Sequence, residues 1–300
     1  MQTKRKYALL LILLTALFAA VILGAIALIP FDAPEQAPAN SSGNLMNGGY
    51  AAKDGGLLYY IDENGGLVCR TEQSTYRITE SGCDLINPYN STVIYRRDGK
   101  IMQSNFTGSG TRVLVEDVQE MLVIGNWIYF TDSSGTLCKT KIGSGKITSL
   151  NLRPAGPFTV SGTSVFFIGD KGYLYTAQTD GTNVEPFLGE PVSQFMMHDS
   201  HIFYLSSGKV CATLAANSAS KSTFAEADEF IVLDTSLVYI KDGALYSLEY
   251  ENTDAKPVKV ETGVDPVTRL NACDGRLYCF GADGVPYSMR KDGSERQALR

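Results

Sequence analysis

The run Trp127-Ile128-Tyr129-Phe130-Thr131-Asp132, followed by Gly135, Leu137 and Ser144-Gly145, places apolar and aromatic residues ahead of a glycine turn. Residues of that kind favour a pleated, half-buried strand, and Asp or Gly punctuation closes it. The same core recurs on both sides. It is found at Leu58-Tyr59-Tyr60, Val93-Ile94-Tyr95, Ile128-Tyr129-Phe130, Val165-Phe166-Phe167, Ile202-Phe203-Tyr204, Leu237-Val238-Tyr239 and Leu277-Tyr278-Cys279. The third residues stand at 60, 95, 130, 167, 204, 239 and 279, so the intervals are 35, 35, 37, 37, 35 and 40. A period that regular marks stacked supersecondary units, none of which buries its apolar face alone.

Each unit reads as four short strands. In the third, Met121–Gly125, Trp127–Asp132, Thr136–Lys141 and Lys146–Leu150 follow one another with glycine between them. The first run has counterparts at Phe158-Thr159-Val160, Phe195-Met196-Met197 and Phe230-Ile231-Val232-Leu233. Radial packing of such four-stranded sheets leaves only short edges, which is how a propeller avoids open strands. The expectation is an all-β protein, a seven-bladed β-propeller over residues 46–300, with six or eight blades as alternative counts. The first unit begins with its own inner strand near Leu45–Ala52 and the last ends near Arg296–Leu299, so no strand is exchanged between the ends. The period is shorter than the 40–45 residues of WD40 blades, and no Gly-His…Trp-Asp signature is present.

Ile128-Tyr129-Phe130-Thr131-Asp132 resembles the Tyr-Trp-Thr-Asp signature of low-density-lipoprotein-receptor-type propellers, with Phe130 in the Trp position. Thr179-Asp180-Gly181-Thr182 and Lys291-Asp292-Gly293-Ser294 resemble the turn which that family places between its third and fourth strands. The resemblance covers about residues 46–300 and extends to membrane-anchored bacterial propellers without an assigned activity. It implies a ligand-binding propeller. The receptor domains have six blades, whereas this chain shows seven cores.

Ahead of the repeats, Tyr7 to Ile29 is an apolar stretch of 23 residues, relieved only by Thr15 and Gly24. A helix of that length is roughly 35 Å long and crosses a hydrocarbon core of about 30 Å. Lys4-Arg5-Lys6 precedes it, which keeps the short N-terminus in the cytoplasm and sends the rest across. The competing reading is a cleaved signal peptide using Ala25-Ile26-Ala27, but the apolar run exceeds an h-region of about 7–15 residues. The expected organisation is therefore a cytoplasmic N-terminus at 1–6, a signal-anchor transmembrane helix at 7–30, a flexible stalk at 31–45 and the propeller. Localisation follows: a single-pass cell-membrane protein with its body outside the cytoplasm. The whole chain carries −6, and without the three basic groups before residue 30 the remainder has 23 basic and 32 acidic side chains, or −9. Such a surface repels phosphate backbones and anionic lipid, which excludes nucleic acid as a partner of the globular part.

Catalytic chemistry is sparse. No nucleophile elbow, phosphate loop, dinucleotide fingerprint or zinc-type Cys/His spacing occurs, and no cofactor is implied. Cys138, Cys211 and Cys279 fall in slots filled elsewhere by core residues, so they read as small buried hydrophobes. A pair among Cys69, Cys83 and Cys273 stays open. His198 and His201 would lie on opposite faces of a strand unless a turn intervenes. The turn after the second strand carries Asp62, Asp98, Asp132, Asp170, Asp242 and Asp283 in six units, with Ser206-Ser207 in the fifth. On one face of a propeller these form a ring of carboxylates, suited to a basic peptide or a cation; Asp also serves hairpin turns for purely conformational reasons. The turn before that strand holds Leu57, Thr92, Trp127, Ser164, His201, Ser236 and Arg276, so the scaffold does not dictate this residue. Trp127, the only Trp, is a candidate partner anchor on the opposite face, or packs on its own blade.

Three irregular features complete the reading. Pro286 occupies a third-strand slot held elsewhere by leucine and predicts a bulge there. Cys211 to Glu229 lacks a clear glycine turn and predicts a longer loop. Asn40, Asn90 and Asn105 lie in glycosylation sequons. The function these features favour is a membrane-tethered binding or scaffold module for a protein or cell-envelope ligand. Two other readings accompany it: a propeller hydrolase or lyase using channel carboxylates and a metal, and a structural subunit of an envelope complex.

Overall fold

A computed structural model describes residues 38–299. They form seven antiparallel four-stranded sheets, each built in chain order from the channel outward. The blades span residues 51–77, 83–115, 118–152, 158–191, 194–226, 229–259 and 269–298. Every blade owns all four of its strands, so the ring closes without strand exchange. The transmembrane helix expected at residues 7–30 and the N-terminus at 1–6 lie outside the described residues. Among the described residues no helix is long and apolar enough to cross a membrane.

The repeated core is the second strand of each blade, and this explains its composition. In blade 3 Ile128 pairs with Val123 on one side and Thr140 on the other. Flanked on both edges and sandwiched between blades, Ile128, Tyr129 and Phe130 are at most 2% exposed. A strand covered on every side needs bulk on both of its faces, so it reads as a continuous apolar run instead of an alternating one. Leu57, Thr92, Trp127, Ser164, His201, Ser236 and Arg276 are the first residues of the seven second strands.

Three expectations are corrected. The stalk expected over 31–45 is, from Pro38 onward, part of the propeller: Ser42–Met46 is a short helix, α1, capped by the Ser41 hydroxyl accepting from the Asn44 amide at 3.1 Å. Asn40, Ser42, Asn44 and Leu45 are buried, so Asn40 is no glycosylation site. Second, Cys211 to Glu229 is no loop. It contains the longest strand of the protein's described part, Asn217–Glu226, which pairs with Lys209–Leu214 across two register shifts. Ala, Ser and Thr suit a mostly exposed outer strand, so it lacks the apolar run that marks the inner strands. Third, blade 7 has no bulge at Pro286, which pairs in register with Phe280 as the first residue of Pro286–Met289. In blade 1 the equivalent Leu67 amide donates to the Thr79 hydroxyl and not to the ladder, so a proline loses nothing there. What the slot supplies is its carbonyl, to Leu299 in blade 7 and to Ile78 in blade 1.

Candidate functional site

The inner strand of each blade turns an unpaired edge toward the channel, and such an edge must be satisfied or left wet. Here α1 and its flanks fill the channel and satisfy it with asparagine, whose amide offers both a donor and an acceptor. Asn44 Nδ2 donates to the Ala272 carbonyl at 2.7 Å and its Oδ1 accepts from the Ala272 amide at 2.7 Å, imitating a neighbouring strand. Asn40 donates to the carbonyls of Ala51 and Ile86, in blades 1 and 2. Asn47 donates to Phe230 and Leu270, in blades 6 and 7, and its Oδ1 accepts from Gln194 of blade 5. The Ser42 hydroxyl accepts from the Met197 amide, and the Ala39 amide donates to Val123 of blade 3. Gly49 then reverses the chain at φ +60°, where a Cβ would lie 2.7 Å from the Leu85 Cα. Beside blade 4 the filling is incomplete: a cleft of about 340 Å³ opens between Ser41, Ser42 and the Thr159–Ser161 segment.

The turns carrying Asp62, Asp98, Asp132, Asp170, Asp242 and Asp283 all follow second strands and so share one face, as expected from the repeat. Three of their carboxylates, those of Asp62, Asp132 and Asp283, serve their own turns. Asp132 Oδ1 accepts from the amides of Ser134 and Thr136, both at 2.9 Å, and from the Ser134 hydroxyl. That hydroxyl, ahead of the two amides, holds the Asp132 carboxyl below its ordinary range. Asp62 is buried, accepts from Asn64 and Gly66, and pairs with Arg77 at 2.5 Å. Asp283 accepts from the Val285 amide and the Tyr287 hydroxyl. Asp98 and Asp242 sit at φ 50° before Gly99 and Gly243, the geometry of a tight hairpin, and Asp170 begins a 3-10 turn over Asp170–Gly172. Among the described residues no three His, Cys, Asp or Glu side chains gather closely enough to hold a metal ion.

A different set, four charged side chains and a glutamine, lines the channel on that same face. Asp84, Glu120, Gln194, Glu229 and Arg269 stand at or near the heads of five inner strands. Arg96 grips Asp84 with Nε at 2.8 Å and Nη2 at 2.5 Å, and its third nitrogen reaches the Gln119 carbonyl. Arg269 lies over the rings of Tyr50 at 4.6 Å and Phe280 at 5.1 Å. Burial pushes the Glu229 carboxyl up to about 7, against the pull of the Leu270 amide and Arg269. Sequence reasoning missed this set, yet the signal existed. Applying the repeat to strand heads instead of strand cores aligns Asp84, Glu120, Gln194, Glu229 and Arg269.

On the opposite face Trp127 is half-buried on its own blade, with Lys141 Nζ 4.8 Å and Lys139 Nζ 5.2 Å from its ring centre. His198 and His201 flank the Asp199-Ser200 turn and pair directly across it, so the turn does intervene and places both beside Phe203. All six cysteines are free thiols, and five of them are buried. Cys83 contacts the Thr79 hydroxyl at 2.9 Å, and burial raises its thiol.

No protein-family model matches this sequence, and a search of curated proteins finds no match. Solved structures do match. BamB from Moraxella catarrhalis is similar with a TM-score of 0.54 and 13% identity, over 83% of this chain and 87% of BamB. The WD40 β-propeller domain of Doa1 gives a TM-score of 0.59 and 12% identity, over 78% of this chain and 89% of that domain. PorZ, an essential bacterial surface component of the type-IX secretion system of Porphyromonas gingivalis, gives 0.59 and 13%, over 88% of this chain and 39% of PorZ. At such identities the likeness is one of fold, and the fold is a β-propeller.

Proposed function

We propose that this chain is a membrane-tethered, extracytoplasmic β-propeller acting as a binding or scaffold module for a protein or cell-envelope ligand. The observation that carries this reading is that the chain's own α1 segment occupies the channel beside every blade but the fourth. A propeller enzyme would gather its reacting groups in or at an open channel, whereas here six of seven inner strands spend their free edges on the chain's own α1 segment. What is left for function is the outer surface: the two faces and the blade edges. Residues 7–30 supply the tether and Lys4-Arg5-Lys6 its orientation, with the N-terminus in the cytoplasm. The Ile128–Asp132 signature brings the chain toward low-density-lipoprotein-receptor-type propellers, a ligand-binding group. The fold it shares with PorZ, a surface component of a secretion system, agrees with a scaffold role.

The test is reversible cross-linking of the full chain in its own membrane, followed by isolation and identification of what it holds. A protein or envelope polymer recovered in near-stoichiometric amount is the expected result. Recovery of the uncomplexed chain alone, under conditions that trap known envelope complexes, would refute the module. Replacing residues 1–30 with an unrelated anchor is expected to leave the complex intact, because the contacts belong to the propeller.

A further inference from the structure

Outer strands of the other blades are short: three, four, six, seven, two and two residues in blades 1, 2, 3, 4, 6 and 7. The seven-residue one, Glu185–Pro191, carries Pro186 and Pro191, which cannot donate to an added strand. Blade 5 breaks the pattern. Its outer strand Asn217–Glu226 is ten residues long, contains no proline, and carries only Lys221 and Glu226 as charges. Two register shifts and Lys221 interrupt it, and the Ala219 amide is taken by the Asn217 side chain, but it remains the longest outer edge among the described residues that proline does not block, open to an extended chain.

The two faces of this strand are treated differently. Lys221 points toward blade 4, where it pairs with Glu190 and lies 5.8 Å from the Tyr204 ring, and Glu190 also accepts from Tyr204 and Ser206 at 3.0 Å. Ser220, Ser222 and Phe224 point toward blade 6, whose outer strand Val258–Lys259 is too short to cover them. The result is a groove of about 320 Å³ lined by these three residues with His201, Phe203, Leu214, Tyr250 and Glu251. Phe203, Phe224 and Tyr250 form its floor, with ring centres 5.0 to 6.1 Å apart, and Leu214 is 37% exposed at its rim. Its charge is acidic. Glu249 nearby is matched by Lys291 at 2.8 Å, but Glu251 has no ion-pair partner among the described residues; burial first, then the carboxylates of Glu251, Asp199 and Glu249, raise the Tyr250 phenol. Aromatic faces beside an unmatched carboxylate suit a lysine or arginine side chain.

We infer that the edge Asn217–Glu226 and the Phe224–Tyr250–Glu251 groove form one docking site for an extended, basic segment of a partner protein, which adds as a fifth strand to blade 5. This rests on the binding-module reading and names where and what the module binds. Main-chain bonds to the edge give affinity, and the groove selects alternate side chains, a cation opposite Glu251 among them.

The probe is a dye-labelled eight-residue peptide of alternating valine and lysine, titrated by anisotropy against the full chain in detergent. Saturable binding is expected. Methylating alternate backbone nitrogens of the peptide keeps its side chains but removes the strand bonds, and is expected to weaken binding at least about tenfold. Glu251→Lys, an exposed loop change that leaves the sheets untouched, is expected to weaken it by a similar factor, and glutamate in place of lysine in the peptide to abolish it. Absence of saturable binding by the basic peptide, or equal binding by the methylated one, overturns the site. If the peptide fails while the full chain still cross-links to a protein in its membrane, the docking site falls and the binding module stands; if both fail, both fall.

Discussion

The centre of this propeller and the rim of its fifth blade handle the same problem in opposite ways. Both present free strand edges. At the centre, Asn40, Asn44 and Asn47 of the α1 segment cap inner-strand edges with side-chain amides, and Asn44 is fully buried. At the rim, Asn217–Glu226 leaves a ten-residue edge exposed beside an aromatic groove. The contrast teaches where stability is lodged and where the proposed recognition falls. A propeller whose blades exchange no strand needs another closure, and the plug ties blades 1, 2, 3, 5, 6 and 7 to one short segment. With the centre committed to closure, the surface left for a partner is peripheral.

The sharpest way to break that contrast is at its centre. Asn44→Ala strands the amide and carbonyl of Ala272 in a buried channel, where each unmet group costs about 1–3 kcal/mol. The expected loss is about 4 kcal/mol, seen as a fall in the thermal midpoint of about 10 °C. A loss near zero would mean that the plug does not close the ring. A smaller effect is expected at Glu229. Its carboxyl holds a proton up to about 7 in the folded state against an ordinary 4.5, so between those pH values the native chain binds more protons than the unfolded one. Native stability therefore falls as pH rises from 4.5 to 7 and is level beyond. Glu229→Gln removes the term, and denaturant midpoints are expected to show a gain of about 2 kcal/mol at pH 8 and little change at pH 4.

Asp132→Ala should act more weakly still, removing turn bonds at the surface for about 1 kcal/mol at pH 7. Because its folded carboxyl is held low, that contribution is present above the unfolded carboxylate range and lost as pH falls below it. Circular-dichroism melts of the variant and the parent chain are expected to converge toward pH 3. Partner recovery by cross-linking is expected to stay unchanged, whereas its loss would move recognition to the carboxylate face.

Most of the blade architecture was legible because it rests on residues with strong β preference at a fixed period. The second strands, their leading residues Leu57 to Arg276 and the six Asp turns all stand where the repeat puts them. The features that escaped are those built from small polar residues. Asn40 to Asn47 has the composition of a linker, and only the free inner edges around it turn those amides into structure. Asn217–Glu226 has the composition of a loop, and only its pairing with Lys209–Leu214 makes it a strand. The carboxylates of Asp132 and Asp62 illustrate the same limit: their positions follow the repeat, but their use within their own turns depends on geometry.

The proposed docking site puts recognition on the blade 5 rim and not at the channel. Site-specific photo-cross-linking of the full chain in intact cells tests it directly, with a photoreactive side chain placed at Ser222 in the groove or at Asp242 on the carboxylate face. A discrete protein adduct from position 222 that is suppressed by the valine–lysine peptide is expected, and none from position 242. An adduct from 242 with none from 222 would contradict it.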